Sequence, residues 1–395
     1  MAVINRIAEF EPDIRAWRQH LHTIPELDFD LFETAAFVEA RLREIGVDEI
    51  HTGIAKTGMV AIINGRGGEA GDEKGGGPTL GLRADMDALP IEEETGAPYA
   101  SKYQGKMHAC GHDGHMAVLL GAARYLSETR NFSGRVALIF QPSEEMNGGG
   151  RVMVEEGIME RFAISRVFGL HNNPALPLGK IATRPGPLLA AADEFFVTLT
   201  GKGGHAAYPH ETVDPLPAAL QLGQALQAIP ARRISPFANA VVSLTMLHAG
   251  TATNIIPQTV RLAGTVRTLD ETVRTKILTD IEVMADNTAQ AHGCAAETEI
   301  KRGYPVTVND ADAAAFAAEV AGAIVGPENV DAACGPEMGA EDFSYMLAAR
   351  PGAFIMLGSG PEGAYPHHPK YNYNDEASPI GASWFVKLVE TANPL

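Results

Sequence analysis

The chain has 395 residues, 45% of them apolar, and a formal net charge of −18. That length exceeds what one hydrophobic core usually serves, so two domains are expected, and the apolar fraction is ample for folded cores. The acidic balance excludes nucleic acid and an anionic membrane as partners, because either would need a basic face, and it leaves small molecules as ligands. Three cysteines, Cys110, Cys294 and Cys334, are too few and odd in number for a disulfide framework, which fits a reducing compartment. The first residues lack a basic stretch followed by an apolar one. No apolar run approaches the roughly 18 residues a membrane span needs. The expectation is a soluble, cytoplasmic protein.

Taken in order, the periodicity predicts helices over 3–22 and 33–46, then strands over 58–64 and 79–87. The Gly-rich stretch Gly65–Gly77 between those strands reads as a solvated connection and not as a phosphate cradle. Next come a helix from Met116 to Ser127, a strand from Arg135 to Phe140, a helix from Gly150 to Glu156 and a buried strand from Val167 to Leu170. Alternating helices and short apolar strands are the α/β signature, and each polar cluster follows a strand's carboxyl end, where open α/β sheets bind ligands.

The rhythm changes at Arg184-Pro185-Gly186-Pro187. Beyond it the order is strand (194–200), helix (215–229), strand (240–249), strand (259–268), helix (271–292) and strand (297–301). This βαββαβ order predicts a ferredoxin-like α+β insertion. Helices over 310–324 and 341–348 and a strand over 353–357 then return to the first pattern. The expected organisation is a discontinuous catalytic domain, 1–185 with 304–395, and an inserted domain at 186–303.

The densest chemistry lies in Met107-His108-Ala109-Cys110-Gly111-His112-Asp113-Gly114-His115. Cys110 and His112, two apart on a stretch read as extended, are placed to face one metal ion, with Asp113 or His115 behind them. In Gln141-Pro142-Ser143-Glu144-Glu145 a strand ends in adjacent carboxylates. Such neighbours are costly unless positive charge lies beside them, so one can ligate while the other, held off the metal, serves as general base. His171 ends another apolar strand, His367 and His368 lie together late in the chain, and Asp85-Met86-Asp87 closes the strand before the cluster. Taken singly, each admits a plain reading: a surface histidine, a solvated acidic face, a loop filler, a turn cap, a small buried cysteine. Their coincidence at strand ends of one domain argues for a site.

These residues resemble the metal-dependent amidohydrolases that include hippurate hydrolase, aminoacylase-like N-acyl-amino-acid amidohydrolases and plant indole-acetyl-amino-acid hydrolases, relatives of the zinc carboxypeptidases. The resemblance runs through Arg18–His22 with Pro25–Leu27, Leu82–Pro90, Met107–His115, Phe140–Glu145 with Gly148–Gly150, Gly201–Pro209, Thr253–Pro257, Gly339–Phe343 and His367–Asp375. It implies a zinc-exopeptidase-like catalytic domain, a mixed sheet flanked by helices, with the insertion as lid and dimerisation domain. It also implies two divalent ions, zinc, manganese, nickel or cobalt, held by Cys110, His112, Glu145, His171 and His367, with Glu144 as general base. Of the late histidines it selects His367, two residues before a proline, over His368. The chain departs from the wider group's His-x-Asp pattern at Asp85-Met86-Asp87, which leaves Asp87 to orient a ligand. His205, in the turn Gly201–Ala207, is implied to reach a neighbouring subunit's site and polarise the scissile carbonyl, so a homodimer or homotetramer is expected. Asn254 and Arg267 are the candidates for a substrate carboxylate. The implied substrate is an N-acyl amino acid. Two other readings stay open: a cysteine hydrolase using Cys110, and a metal- or ligand-binding protein without turnover.

Overall fold

The structure is a computed structural model that describes residues 3–66, 78–360 and 363–395. From residue 67 on, the connection read at Gly65–Gly77 falls outside the described residues. The chain packs as two units: 1–186, 308–335 and 342–395 form one, and 187–307 with 336–341 form the other.

The larger unit is built on an eight-stranded mixed sheet. Its strands are β1 (Glu49–Ile54), β2 (Gly58–Asn64), β3 (Thr79–Asp85), β4 (Arg135–Gln141), β5 (Ile164–Asn173), β6 (Ile181–Ala182), β7 (Val330–Asp331) and β8 (Gly352–Gly358). Their order is β1-β2-β4-β3-β5-β8-β6-β7. The central run β4, β3, β5 and β8 is parallel, while β1 and β2 pair antiparallel at one side. Parallel central strands are buried on both faces, which is why β3, β4 and β8 read as continuous apolar runs, and the antiparallel β2 beside them is buried in the same way. β1 was not anticipated: its sequence Glu-Ile-His-Thr-Gly-Ile is a polar, mostly exposed edge strand with no apolar run to signal it.

Helices α1 (Asn5–His22), α2 (Phe32–Ile45), α3 (His112–Thr129), α4 (Ala311–Val325) and α5 (Ser378–Ala392) cover the sheet. α3 is buried almost all round between α1, α2 and α5, which requires its apolar and small residues on every face. Trp384, Phe385, Leu119, Phe140 and Phe168 fill the core they share.

The smaller unit is a four-stranded antiparallel sheet in the order 240–249, 259–268, 191–200, 295–302. Helices Pro215–Gln227 and Glu271–Ala291 pack on it. That is the ferredoxin-like arrangement expected from the βαββαβ order. Asp214 and Asp270 cap the two helices through their side chains. Phe195, Val197 and Leu199 alternate inward against Leu222, Leu226, Ile277 and Ile281. One buried ion pair sits in this core: Arg274 grips Asp193 with Nε–Oδ2 at 2.8 Å and Nη2–Oδ1 at 2.6 Å. Removing one partner of a buried pair strands the other's charge, so Arg274→Ala is expected to cost about 3–5 kcal/mol. Urea unfolding measures it, and a loss under about 1 kcal/mol would show that solvent reaches Asp193.

Candidate metal centre

Because β3, β4 and β5 are parallel, their carboxyl ends meet at one rim, with Asp85 paired to Gln141 in register. β3 runs on into Asp87, β4 into Ser143-Glu144-Glu145, and β5 carries His171 within its last residues. Asp87 ties the ends of β3 and β4 to the start of α3. Its Oδ1 accepts the Glu144 amide at 2.9 Å and its Oδ2 the Glu145 amide at 3.0 Å. Its carbonyl oxygen accepts His112 Nδ1–H at 2.8 Å. The turn it holds is tight enough to put Ser143 at a φ of 54°, in the left-handed region.

Cys110 and His112 are brought together differently from the extended stretch read from sequence. Gly111 adopts a φ of 96°, and His112 opens α3, four residues before the helix start expected at Met116. A Cβ on Gly111 would lie 2.3 Å from Asn172 Oδ1, so only glycine fits between the two donors. Asp113 then falls in the first helical turn, where its charge suits the helix amino terminus.

Among the described residues, the donors converge in overlapping groups. Cys110 with His112 and His171, Cys110 with Glu145 and His367, and His112 with Glu144 and Glu145 each have donor atoms within 4.8 Å of one another. Cys110 Sγ is 3.4 Å from His171 Nε2, and His367 Nε2 is 3.2 Å from Glu145 Oε1. His367 arrives from a distant segment in a left-handed conformation, φ 65°, anchored by its amide donating to Ala109 O at 2.7 Å. His368 instead turns away, its Nδ1 accepting the Lys370 amide. Asp85, His112 and His115 form a further group, but Asp85 is engaged by His115 Nδ1 at 2.6 Å and by Arg83 at 2.8 Å.

The donor set fits divalent metal. His112 and His171 give their Nδ1–H to backbone carbonyls, which directs the Nε2 lone pairs inward. His112 Nε2 is buried with no hydrogen-bond partner, 3.9 Å from Glu145 Oε1 and 3.7 Å from Asp85 Oδ2. Acceptors facing acceptors out of water call for a cation. Burial disfavours charge on His112, yet Asp85, Asp87 and Glu145 draw a proton onto it and raise its pKa to about 10. Burial, with His115 and His112 nearby, drives His171 down to about 3, leaving it a neutral donor. Burial, then Glu145, Glu144 and Asp85, pushes the Cys110 thiol up. An activated cysteine nucleophile needs the opposite shift, which counts against the cysteine-hydrolase reading.

Sequence reading placed Asp113 or His115 behind the donors but gave no role to two buried arginines there. Arg83, fully buried, links Asp85, Gln141 and Asp342, the last reaching it at 2.9 Å. Arg18 clamps Asp375 with two 2.7 Å bonds and lies 3.8 Å from Asp113. His108 is buried with neither ring nitrogen bonded. Elsewhere in the chain, the smaller unit holds His205 on the short strand Gly204–His205 and Asn254 in the turn just before its partner strand, Ile255–Ile256. Ile255 pairs with His205, the Ala206 amide donates to Asn254 O at 3.0 Å, and both side chains are exposed. Arg267 is half-buried on the strand 259–268, its guanidinium donating to Val266 O.

Asp113 accepts from His22 Nδ1 at 2.7 Å. Burial opposes the imidazolium, but Asp113 and Glu93 raise His22 to about 9. Its ordinary pKa is near 6.5, so the stabilisation is complete below about pH 6.5 and is lost as pH rises through about 9. For metal-free protein, the stability advantage over His22→Asn is expected to shrink by about 3 kcal/mol across that window. Chemical denaturation at several pH values measures it, and parallel curves for the two proteins would contradict it.

Comparison with known proteins identifies the family. The sequence profile of peptidase family M20/M25/M40 matches residues 81–391. The chain is 39% identical over 390 residues to N-acetyl-L-cysteine deacetylase of Bacillus subtilis, covering 98% of this chain and 89% of that protein. It is 38% identical to hippurate hydrolase of Campylobacter jejuni, with 98% of each covered. Among solved structures, the Bacillus subtilis YXEP protein, described as a dinuclear metal binding peptidase from M20 family, superimposes with a TM-score of 0.84 at 34% identity, covering 98% of this chain and 99% of that one. The chain belongs to peptidase family M20/M25/M40.

Proposed function

We propose that this hydrolase cleaves the amide bond of N-acyl amino acids, releasing a carboxylic acid and a free amino acid. The observation that carries the reading is the turn Glu144-Glu145. Both amides are fixed by one carboxylate, Asp87, and both side chains lie within reach of His112. One acid can then ligate while its neighbour moves protons. A protein that only binds metal has no use for the second. The relatives' names, a deacetylase of N-acetyl-L-cysteine and a hydrolase of hippurate, describe amides between an acyl group and an amino-acid nitrogen.

Cys110, His112, Glu145, His171 and His367 are the residues that would hold two divalent ions. Zinc, manganese, nickel and cobalt all suit a mixed thiolate, imidazole and carboxylate set. Such ions lower the pKa of water towards neutrality and polarise a carbonyl. Glu144 removes a proton from the attacking water as its oxygen bonds to the amide carbon. It returns that proton to the nitrogen as the carbon–nitrogen bond breaks. His205 stabilises the developing oxyanion from a neighbouring copy, and Asn254 and Arg267 receive the substrate carboxylate. The local pairing that joins the segments of His205 and Asn254 supports a joint role, since it holds the two residues side by side. In this reading the inserted unit serves as lid and dimerisation domain, and the protein works in the cytoplasm. No helix among the described residues is long and apolar enough to cross a membrane.

The dimer reading is supported by the strand Ala240–Ala249. It lies at the edge of its sheet, with Val241, Met246 and Leu247 exposed by 40%, 49% and 39%. An apolar edge with unpaired backbone groups is a template for a second copy. Sedimentation velocity should show a dimer or tetramer that Met246→Lys with Leu247→Lys converts to monomer. A monomeric wild type would end this part of the reading.

Glu144→Gln should retain its metal by elemental analysis and lose roughly 10²–10⁴-fold in kcat on the best member of a panel of N-acyl amino acids. Chelator should abolish the wild-type rate. Unchanged hydrolysis by the variant refutes the role of Glu144, and release from no member of the panel refutes the substrate class.

A further inference from the structure

Of the five donors, His367 is the one furthest from any regular element. Cys110 and Glu145 sit beside α3 and β4, and His112 and His171 lie on α3 and β5. Around His367, by contrast, residues 363–374 form neither helix nor strand. Its side chain is 55% exposed, against 10% for Glu145, and its backbone is held at a φ of 65°. A left-handed histidine persists only where its surroundings over-determine it. Contacts from outside the rim must therefore hold this segment in place.

Those contacts are polar and converge on Arg18. The His367 amide donates to Ala109 O at 2.7 Å, and Pro369 O accepts the Glu94 amide at 2.8 Å. Beyond them, Asn372 Oδ1 accepts from Arg18 Nη1 at 3.4 Å, and Asn372 Nδ2 donates to the Tyr99 hydroxyl at 3.0 Å. Asp375 then takes the guanidinium's Nε and Nη2, both at 2.7 Å. The same guanidinium lies 4.5 Å from the Tyr99 ring centroid and 3.8 Å from Asp113, next in sequence to His112. Fully buried on α1, Arg18 thus joins the segment that carries His367 to the helix that carries His112. Its planar fork of five donors serves carboxylate, amide and ring at once, which a lysine's ammonium cannot.

We propose that Arg18 is a positioning residue that sets His367 against Glu145 and Cys110, and so governs one of the two ions and not the other. The inference rests on the ligand set given under the proposed function. The donors fall in two groups that share Cys110: one adds His112 and His171, the other Glu145 and His367. In the first, His112 and His171 are fixed by α3, β5 and the carbonyls that receive their Nδ1–H, with no need of the late segment. The second depends on it. Loss of a group that orients a ligand typically weakens metal binding roughly 10–100-fold.

Arg18→Lys keeps the charge and removes the fork. Equilibrium dialysis of the metal-free protein against manganese should then show one ion bound as in the wild type and the other roughly tenfold more weakly. Tyr99→Phe keeps the ring over Arg18 and removes the hydroxyl from Asn372. It should weaken the same ion to a smaller degree, and it carries the test if Arg18→Lys does not fold. In His367→Ala protein, Arg18→Lys should cause no further loss at either ion. Equal weakening of both ions, as a general loosening of the fold would give, overturns the proposal. So does a further loss in the His367→Ala background, or binding unchanged in Arg18→Lys or, where that variant does not fold, in Tyr99→Phe. A wild type that takes up fewer than two ions overturns the two-ion reading itself.

Discussion

The rim of the larger unit depends on one carboxylate. Asp87 holds the amides of Glu144 and Glu145 while its own carbonyl orients His112, so a base candidate, a ligand candidate and a second ligand candidate are set by a single side chain and its backbone. Hydrogen bonds from backbone amides to a buried charge are short, directional and strong. They explain why two adjacent glutamates, which would otherwise repel and splay into solvent, stay on a defined turn. The strain at Ser143 is a consequence of the same hold.

That geometry concentrates negative charge and lone pairs in a place sheltered from water. Left alone it would be unfavourable, and the protonation tendencies show the demand: His112 is driven towards its charged form although buried, while Cys110 resists ionisation. A divalent cation answers both at once, because it replaces the proton on the imidazole and stabilises the thiolate. The supporting groups are arranged for this. Backbone carbonyls fix the tautomers of His112 and His171, Arg83 neutralises Asp85 and Asp342, and Arg18 with His22 neutralises Asp113 and Asp375. Asp85, Asp113, Asp342 and Asp375 are thereby matched by positive charge.

Much of this was legible in the sequence, since metal donors announce themselves by residue type and the parallel strands announce their ends by apolar runs. The path between Cys110 and His112 was not read correctly. A glycine followed two residues later by an aspartate, ahead of a long apolar helix, carries the signal for a helix start at His112, and the density of donors masked it. The work of Asp87 was hidden for another reason: it acts through backbone amides, which every residue has, so no pattern of residue types marks its targets. Arg18 and Asp375 are 357 positions apart, and Arg83 and Asp342 are 259 apart, separations at which single-sequence periodicity says nothing. β1 escaped because a solvent-facing edge strand has no apolar run.

The central claim is that Cys110, His112, Glu145, His171 and His367 hold two divalent ions at this rim. It is tested most directly by crystals grown with manganese or zinc and measured across the metal's absorption edge. The account predicts two anomalous peaks per chain, enclosed by those side chains, with Glu144 beside them and not ligating. A single peak, or peaks centred on Asp85 and His115 with Cys110 left out, would contradict it.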